Sequence, residues 1–240
     1  MLFRSLAGFQ RLAQSPGESS EEKPENDFDE GAPDVVIAGF GRFGQIVGRL
    51  LTVNGFKTSV LESSIEQIGL LRRFGRRVYY GDAGRLDLLR AAGADKARLM
   101  VVAIDDRDRA EEIVRMVKDE FPNLTVLARA FDRRDAYDLL DAGASEVERE
   151  TFEGGLMMAT RALRSLGWSQ TRAERAARVF RQHDQKMFDK LRPLWGDQER
   201  YTIAVRESSP VMEELLRRDL DKIDDGEDEP QRTAAGSSGG

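Results

Sequence analysis

Val35-Val36-Ile37-Ala38-Gly39-Phe40-Gly41-Arg42-Phe43-Gly44 is the stretch that decides the fold: four apolar residues run into three glycines at GxGxxG spacing. A helical stretch follows from Gln45 to Asn54, then Gly55, a second apolar run from Thr58 to Leu61, and Glu62. Strand, glycine turn, helix, second strand and terminal acid stand in the order that a dinucleotide-binding βαβ unit requires. In that reading Gly39 permits the tight turn, Gly41 lets the backbone approach a pyrophosphate, and Gly44 allows the helix to pack closely on the strand. The helix N-terminus supplies free N–H groups and positive dipole to the phosphates. Glu62, 18 residues beyond Gly44, stands where a carboxylate accepts from ribose hydroxyls.

Outward from this unit, short β-branched runs alternate with helical segments through residue 150. A helix is expected from Ile65 to Phe74, stopped by Gly75, then a third strand at Val78-Tyr79-Tyr80. A helix from Leu86 to Ala92 ends at Gly93, and Leu99 to Ile104 reads as a central parallel strand, apolar on both faces. A helix from Arg109 to Glu120, a strand from Thr125 to Ala130, a helix from Arg134 to Ala142 and a short strand over Glu146–Glu148 complete the series. Six strands with intervening helices predict an α/β fold: a Rossmann-like doubly wound parallel sheet in the order 3-2-1-4-5-6. Residues 1–33 read as an acidic, mostly disordered linker, Ser-, Pro- and Gly-rich from 13 onward, and 34–150 as the nucleotide-binding domain. Residues 151–220 read as a helical segment whose two helices, over Phe152–Leu191, carry an apolar face too large to leave exposed; 221–240 read as a disordered acidic tail. No internal repeat is visible.

In an open α/β sheet, ligands sit beyond the strand C-termini where the strand order reverses, here between the first and fourth strands. The candidate cofactor-binding residues are therefore Gly39, Phe40, Gly41, Arg42, Phe43 and Gly44, with Glu62, Ser63, Gly81, Asp82, Ala83, Ala103, Ile104, Asp105 and Arg129. Glu62 and Asp82 are acceptors for ribose and adenine edges. An acid at 62 with no arginine at 63 or 64 favours a 2′-hydroxyl over a 2′-phosphate, and so NAD(H) or AMP over NADP(H). Asp82 is equally placed to cap the helix after it, and Arg129 to pair within the fold.

The totals exclude several classes. Among 240 residues there is no cysteine and one histidine, His183, which removes disulfides, thiolate nucleophiles and cysteine-ligated zinc and argues against histidine-based metal sites and triads. A formal net charge of −6 argues against nucleic acid as a partner. No apolar run approaches the ~20 residues that cross a bilayer, and no signal peptide is apparent, so the chain reads as soluble and cytoplasmic. No substrate-holding constellation with a proton donor follows the sheet, so no catalytic residue is assigned; a nucleotide site without reaction machinery points to sensing and not to an enzyme.

The stretches AGFGRFGQIVGRLL (38–51), VYYGDAGRLDLLRAAGA (78–94), AIDD (103–106), ARAFDR (128–133), ERETFEGGL (148–156) and VFRQHDQKM (179–187) closely resemble the cytosolic regulatory domain, KTN or RCK, of Kef-type glutathione-gated potassium efflux systems. These are bacterial inner-membrane proteins of the cation:proton antiporter-2 family. The resemblance implies a nucleotide in the glycine loop, a homodimer through the helices of 151–192, and glutathione as a regulatory ligand near the dimer interface. It also implies a membrane transport domain ahead of this region, and an ancillary flavoprotein partner, common in the family; the chain is then the C-terminal part of a longer transporter (the reading the acidic linker favours), a truncated or mis-started reading frame, or a genuine soluble regulator. The family's glutathione contacts fall on Arg49, on Arg149 and on Asp184, the last an asparagine in the family. An aspartate there repels glutathione's carboxylates where an amide would donate, and protonated His183 is placed to offset it. Arg49 and Arg149 are also open to surface pairing with Glu148 or Glu150. Two alternatives stand beside this reading: a soluble NAD-binding regulator of Trk-type potassium uptake, which commonly carries two such domains in tandem, and a stand-alone NAD-dependent oxidoreductase.

Overall fold

The computed structural model describes residues 31–64 and 77–227. Six strands, β1 (Val35–Ala38), β2 (Thr58–Glu62), β3 (Arg77–Tyr80), β4 (Leu99–Val102), β5 (Thr125–Ala130) and β6 (Glu146–Arg149), form one sheet ordered β3-β2-β1-β4-β5-β6. Every pairing is parallel. This is the predicted Rossmann-like sheet. Central β1 is buried along its whole length, which is why its four residues are apolar without alternation. Successive side chains point to opposite faces. Val36 and Ala38 join one core with Leu89, Ile113, Val114 and Leu139, while Val35 and Ile37 join another with Phe40, Val47 and Leu51.

The helices are α1 (Arg42–Val53), α2 (Leu86–Ala91), α3 (Arg107–Glu120), α4 (Arg133–Asp141), α5 (Phe152–Ser165), α6 (Gln170–Leu191) and α7 (Gln198–Glu227). The helix expected over 65–74 lies outside the described residues. Several boundaries differ from expectation for identifiable reasons. Helix α1 begins at Arg42 and not Gln45, because Gly41 is its N-cap and Gly44 is already helical. Strand β4 ends at Val102 and not Ile104: β1 turns away at Gly39, leaving one further rung, the Ala103 amide to the Ala38 carbonyl at 2.8 Å. Pro33, assigned to the linker by composition, is buried, with its ring where a Cβ on Gly93 would lie, 2.6 Å away.

The larger departure is α7. Two helices were expected after the sheet, and a third, 30 residues long, runs through Pro210 to Glu227, into the stretch whose acidity suggested a tail from 221. It is held by an aromatic cluster. Tyr137 of α4 is fully buried with its ring centroid 4.6 Å from Phe188, 5.6 Å from Trp195 and 6.2 Å from Tyr201. Its hydroxyl donates to the Phe188 carbonyl at 2.9 Å, and the Trp195 indole N–H donates to Asp138 at 2.5 Å. Burial pushes the Tyr137 phenol up to about 12, so the donor stays protonated. These contacts seat α6 and α7 on the outer face of α4.

Removing that ring should leave a cavity at the junction of three helices. Tyr137→Ala is expected to cost about 3–5 kcal/mol in urea denaturation followed by circular dichroism. Trp195 fluorescence should shift to longer wavelength as its ring becomes hydrated.

Candidate functional site

The ladder hydrogen bonds run one step past several strands and so align the candidate residues. The Gly39 amide donates to the Leu61 carbonyl (3.0 Å), the Gly81 amide to the Glu62 carbonyl (3.0 Å) and the Ala103 amide to the Ala38 carbonyl (2.8 Å). Gly39, Glu62, Gly81 and Ala103 therefore share the C-terminal edge of the sheet, and the order reverses between β1 and β4 above it. That edge is where an open α/β sheet takes its ligand.

Three glycines in the loop answer to different constraints. Gly39 has φ +85°, and a Cβ there would lie 2.6 Å from the Ala103 carbonyl oxygen. A Cβ on Gly44 would overlap the Gly39 carbonyl oxygen. Gly41 meets nothing among the described residues: apart from its own chain neighbours, none of their atoms lies within 4 Å of where its Cβ would be. No side-chain hydrogen bond caps α1, and no acid sits in its first turn, so no residue of the helix itself offsets its positive end. Phe40 contributes its backbone alone, since its ring is buried beneath α1, 2.6 Å from where a Cβ on Gly48 would lie.

Glu62 is only 8% exposed, and its carboxylate accepts from the Phe40 amide and the Ser64 amide, each at 2.8 Å. The acid thus ties the end of β2 to the glycine loop, while Ser63 is exposed beside it. Asp82 does not cap a helix: Arg85 is the N-cap of α2, with no side-chain bond. Asp82 accepts instead from the Gly84 amide (2.8 Å) and pairs with Arg109 of α3, whose guanidinium lies over Gly84. Neighbouring Ala83 is buried, and Ile104 is half-buried. Arg129, 3% exposed, pairs within the fold: it donates to the Ile104 carbonyl (2.6 Å), Asp105 (2.8 Å) and Glu150 (3.0 Å) and stands 4.7 Å from the Phe131 ring centroid. Arg42 is exposed, 3.9 Å from Glu150, and Phe43 is half-buried.

The three residues read as glutathione contacts are partly brought together. Arg149, at the end of β6, forms an ion pair with Asp184 of α6 and not with Glu148 or Glu150. A second arginine, Arg133 at the start of α4, reaches the same carboxylate at 2.6 Å. His183 does not offset Asp184: it turns to Asp219 of α7, 2.9 Å away. Arg49 stays on the exposed face of α1 and takes no part in the ion pairs described for Arg149 and Asp184.

Comparison with known proteins identifies this arrangement. The TrkA-N domain family matches residues 35–150, and the family described as the potassium efflux system KefB C-terminal domain matches residues 154–233. The Kef CTD of Shewanella denitrificans, solved in an AMP-bound form, is 48% identical with a TM-score of 0.63, covering 67% of this chain and 98% of that one. The chain belongs to the family of Kef C-terminal regulatory domains. Glutathione-regulated potassium-efflux system protein KefC of Escherichia coli (strain UMN026) is 41% identical over 213 residues, 89% of this chain and 34% of that protein. The Kef domain thus spans about a third of the length of the curated relatives it matches. The TrkA-N domain of the Escherichia coli inner membrane protein ybaL, at 24% identity and a TM-score of 0.51 over 54% of this chain and 96% of that one, is a likeness of fold. No helix among the described residues is long and apolar enough to cross a membrane.

The sequence did not point to Arg109 or Arg133 in this Kef domain, and it offered Glu150 to Arg49 or Arg149, whereas Glu150 pairs with Arg129. A signal existed for Glu150: an arginine inside the otherwise apolar strand β5 must find carboxylates, and the ends of the neighbouring strands offer Asp105 and Glu150. None existed for Arg133, whose partner lies 51 residues away.

The Asp82–Arg109 pair should give a pH signature. Burial pulls the Asp82 carboxyl up, but the Arg109 hydrogen bond, the Gly84 amide and the nearby positive charge outweigh it, and Asp82 titrates below its ordinary 3.8. A depressed carboxylate stabilises the fold at neutral pH and loses that contribution as pH falls below the ordinary value. Asp82→Asn is therefore expected to lower the melting temperature at pH 7, with the gap to the unmodified chain closing below about pH 3.8 in circular dichroism melts.

Proposed function

We propose that this Kef domain is the nucleotide- and glutathione-responsive gate of a potassium efflux system, working at the cytoplasmic face of a bacterial inner membrane and regulating without turning its ligands over. The observation that carries this reading is the asymmetry within the glycine loop. Gly39 and Gly44 are required by contacts within the protein, whereas the space at Gly41 is open beside an uncapped helix N-terminus. Backbone without a Cβ at such a point suits a phosphate held by helix N–H groups. Of the two nucleotides considered, AMP is favoured, supported by the AMP-bound Shewanella domain at 48% identity. NAD(H) is the ligand to compare with it. The name of KefC supports glutathione as the second ligand.

Homodimerisation through the helices of 151–192 is supported by apolar surface on this chain. Met157, Met158 and Leu166 of α5 and its C-cap, with Phe180 of α6, are between 43% and 80% exposed. A membrane transport domain in the full-length protein, and an ancillary flavoprotein, complete the assembly. Each ligand would act by binding closed and open pore states with different affinity and so shifting their populations. The match of residues 154–233 to the KefB C-terminal domain weighs against a Trk-type subunit.

Calorimetric titration tests both ligands. Gly41→Ala should weaken AMP at least ~10-fold, about 1.4 kcal/mol, while leaving the melting temperature unchanged; Gly44→Ala should lower both. Unaltered AMP affinity in Gly41→Ala would remove the nucleotide from this loop. Glutathione added to the AMP-loaded chain should give saturable heat that Arg149→Ala abolishes without loss of AMP binding.

A further inference from the structure

The carboxylate that occupies the Arg133–Arg149 pair belongs to the chain itself. Asp184 projects from α6 between two arginines carried by separate elements, one ending β6 and the other opening α4. Its Oδ1 accepts from Arg133 at 2.6 Å and stands 3.5 Å from Nη1 of Arg149, whose Nη2 donates to Oδ2. Arg149 is held from the other side by aromatic rings, its guanidinium carbon 4.1 Å from the Phe152 centroid and 5.8 Å from that of Phe188. The side chains of Asp184, Arg149 and Arg133 are 12%, 17% and 27% exposed, so the cluster is largely desolvated yet reachable from water.

Two positive charges face one negative charge. Two guanidiniums carry ten N–H donors, of which Asp184 engages three. The nearby acid Glu153 is itself paired with Arg181. An arginine pair with spare donors is a carboxylate clamp, here closed on an aspartate from another element.

We propose that Asp184 is a tethered occupant of this clamp, and that a carboxylate of glutathione binds by displacing it. This inference rests on the glutathione reading above and adds Arg133 as a ligand-binding residue. It also assigns the consequence. Asp184 supplies ion pairs from α6 to both β6 and α4, so the exchange of an internal carboxylate for an external one frees that part of α6 from the sheet edge. An intramolecular carboxylate competes at a high effective concentration, so the unmodified chain binds glutathione below the clamp's intrinsic affinity.

Glutathione titrated into the AMP-loaded full chain and into Asp184→Asn decides the matter. The asparagine keeps the shape and removes the charge, and glutathione should bind it at least ~10-fold more tightly, about 1.4 kcal/mol. Adding Arg133→Ala to Asp184→Asn should reverse the gain. Equal or weaker binding by Asp184→Asn, with the unmodified chain still binding glutathione, would overturn the displacement and leave the glutathione reading standing. Absence of glutathione binding in both chains, with AMP bound by both, would overturn the glutathione reading and this inference with it. Hydrogen exchange on the unmodified chain supplies a readout that needs no variant to fold. Glutathione should speed amide exchange in α6 around residues 180–188, and unchanged or slower exchange there would overturn the proposal.

Discussion

Between the carbonyl oxygen of Gly39 and the α-carbon of Gly44 there is no room for a methyl group, and the arrangement of the site follows from that close approach. The first turn of α1 is drawn onto the end of β1, so its N-terminus opens directly over the sheet edge. The same contraction sets Gly39 against the Ala103 carbonyl and turns β1 out of the ladder after Ala38. Gly48 continues the close packing one turn further on, accepting the Phe40 ring against the helix. A fold that needs three glycines for helix–strand contact leaves the fourth, Gly41, with no packing duty. That contrast separates the glycines the protein requires from the one a ligand would require.

Buried charge is handled in two ways along the same edge. Both oxygens of Glu62 accept from backbone amides, one of them in the loop it faces. Arg129 is met by two carboxylates and a carbonyl from the ends of β4 and β6. The first arrangement leaves carboxylate lone pairs for further donors, the second draws the ends of three neighbouring strands together. An acid beside the glycine loop and an arginine in the wall of the sheet therefore do different things, although both read as polar residues at strand ends. Removing one partner from either would strand a desolvated charge, which is costlier than never having built the pair.

How much of this was legible depended on the range of the interaction. Thr125–Ala130 is strand from end to end, as its β-branched and apolar run implies, and the order of all six strands is that of the doubly wound fold which the glycine-loop unit indicates. Helix starts were read late at Arg42, Arg107 and Arg133, because glycine, aspartate and arginine before an apolar stripe carry little periodic signal. At α3 and α4 the caps are Asp106 and Asp132, each accepting from backbone amides within the next turn, and these were the available cues. Helix α7 was obscured by its charge and by Pro210; its anchoring residue Tyr201 has no neighbour in sequence to announce it. The placement of Gly39, Glu62, Gly81 and Ala103 along the sheet's C-terminal edge was legible because a βαβ unit sets it by spacing. The Arg133–Asp184–Arg149 cluster was not, since its three members meet only after the sheet has closed and α6 has returned across it.

That return gives the helical segment its mechanical role. Within a short stretch of α6, His183 faces Asp219 of α7, Asp184 faces the two arginines, and Met187 and Phe188 enter the aromatic cluster around Tyr137. Fewer than two helical turns thus carry contacts to α7, to β6 and to α4. A shift of α6 at Asp184 cannot remain confined to an ion pair, because the same stretch carries the packing that seats α7 on α4. Close-packed interiors pass from one arrangement to another and do not stretch continuously. A ligand acting on the clamp would therefore be felt along both helices, on the side of the molecule where α5 and α6 expose the apolar surface that a second copy would cover. The crevice proposed for a nucleotide lies at the ends of β1, β2 and β4, and the arginine pair at the end of β6, so the sheet that joins them is common ground for both. Arg129 pairs with Glu150, and Glu150 immediately follows Arg149 in the chain, so this ion pair stands one peptide bond from the arginine pair.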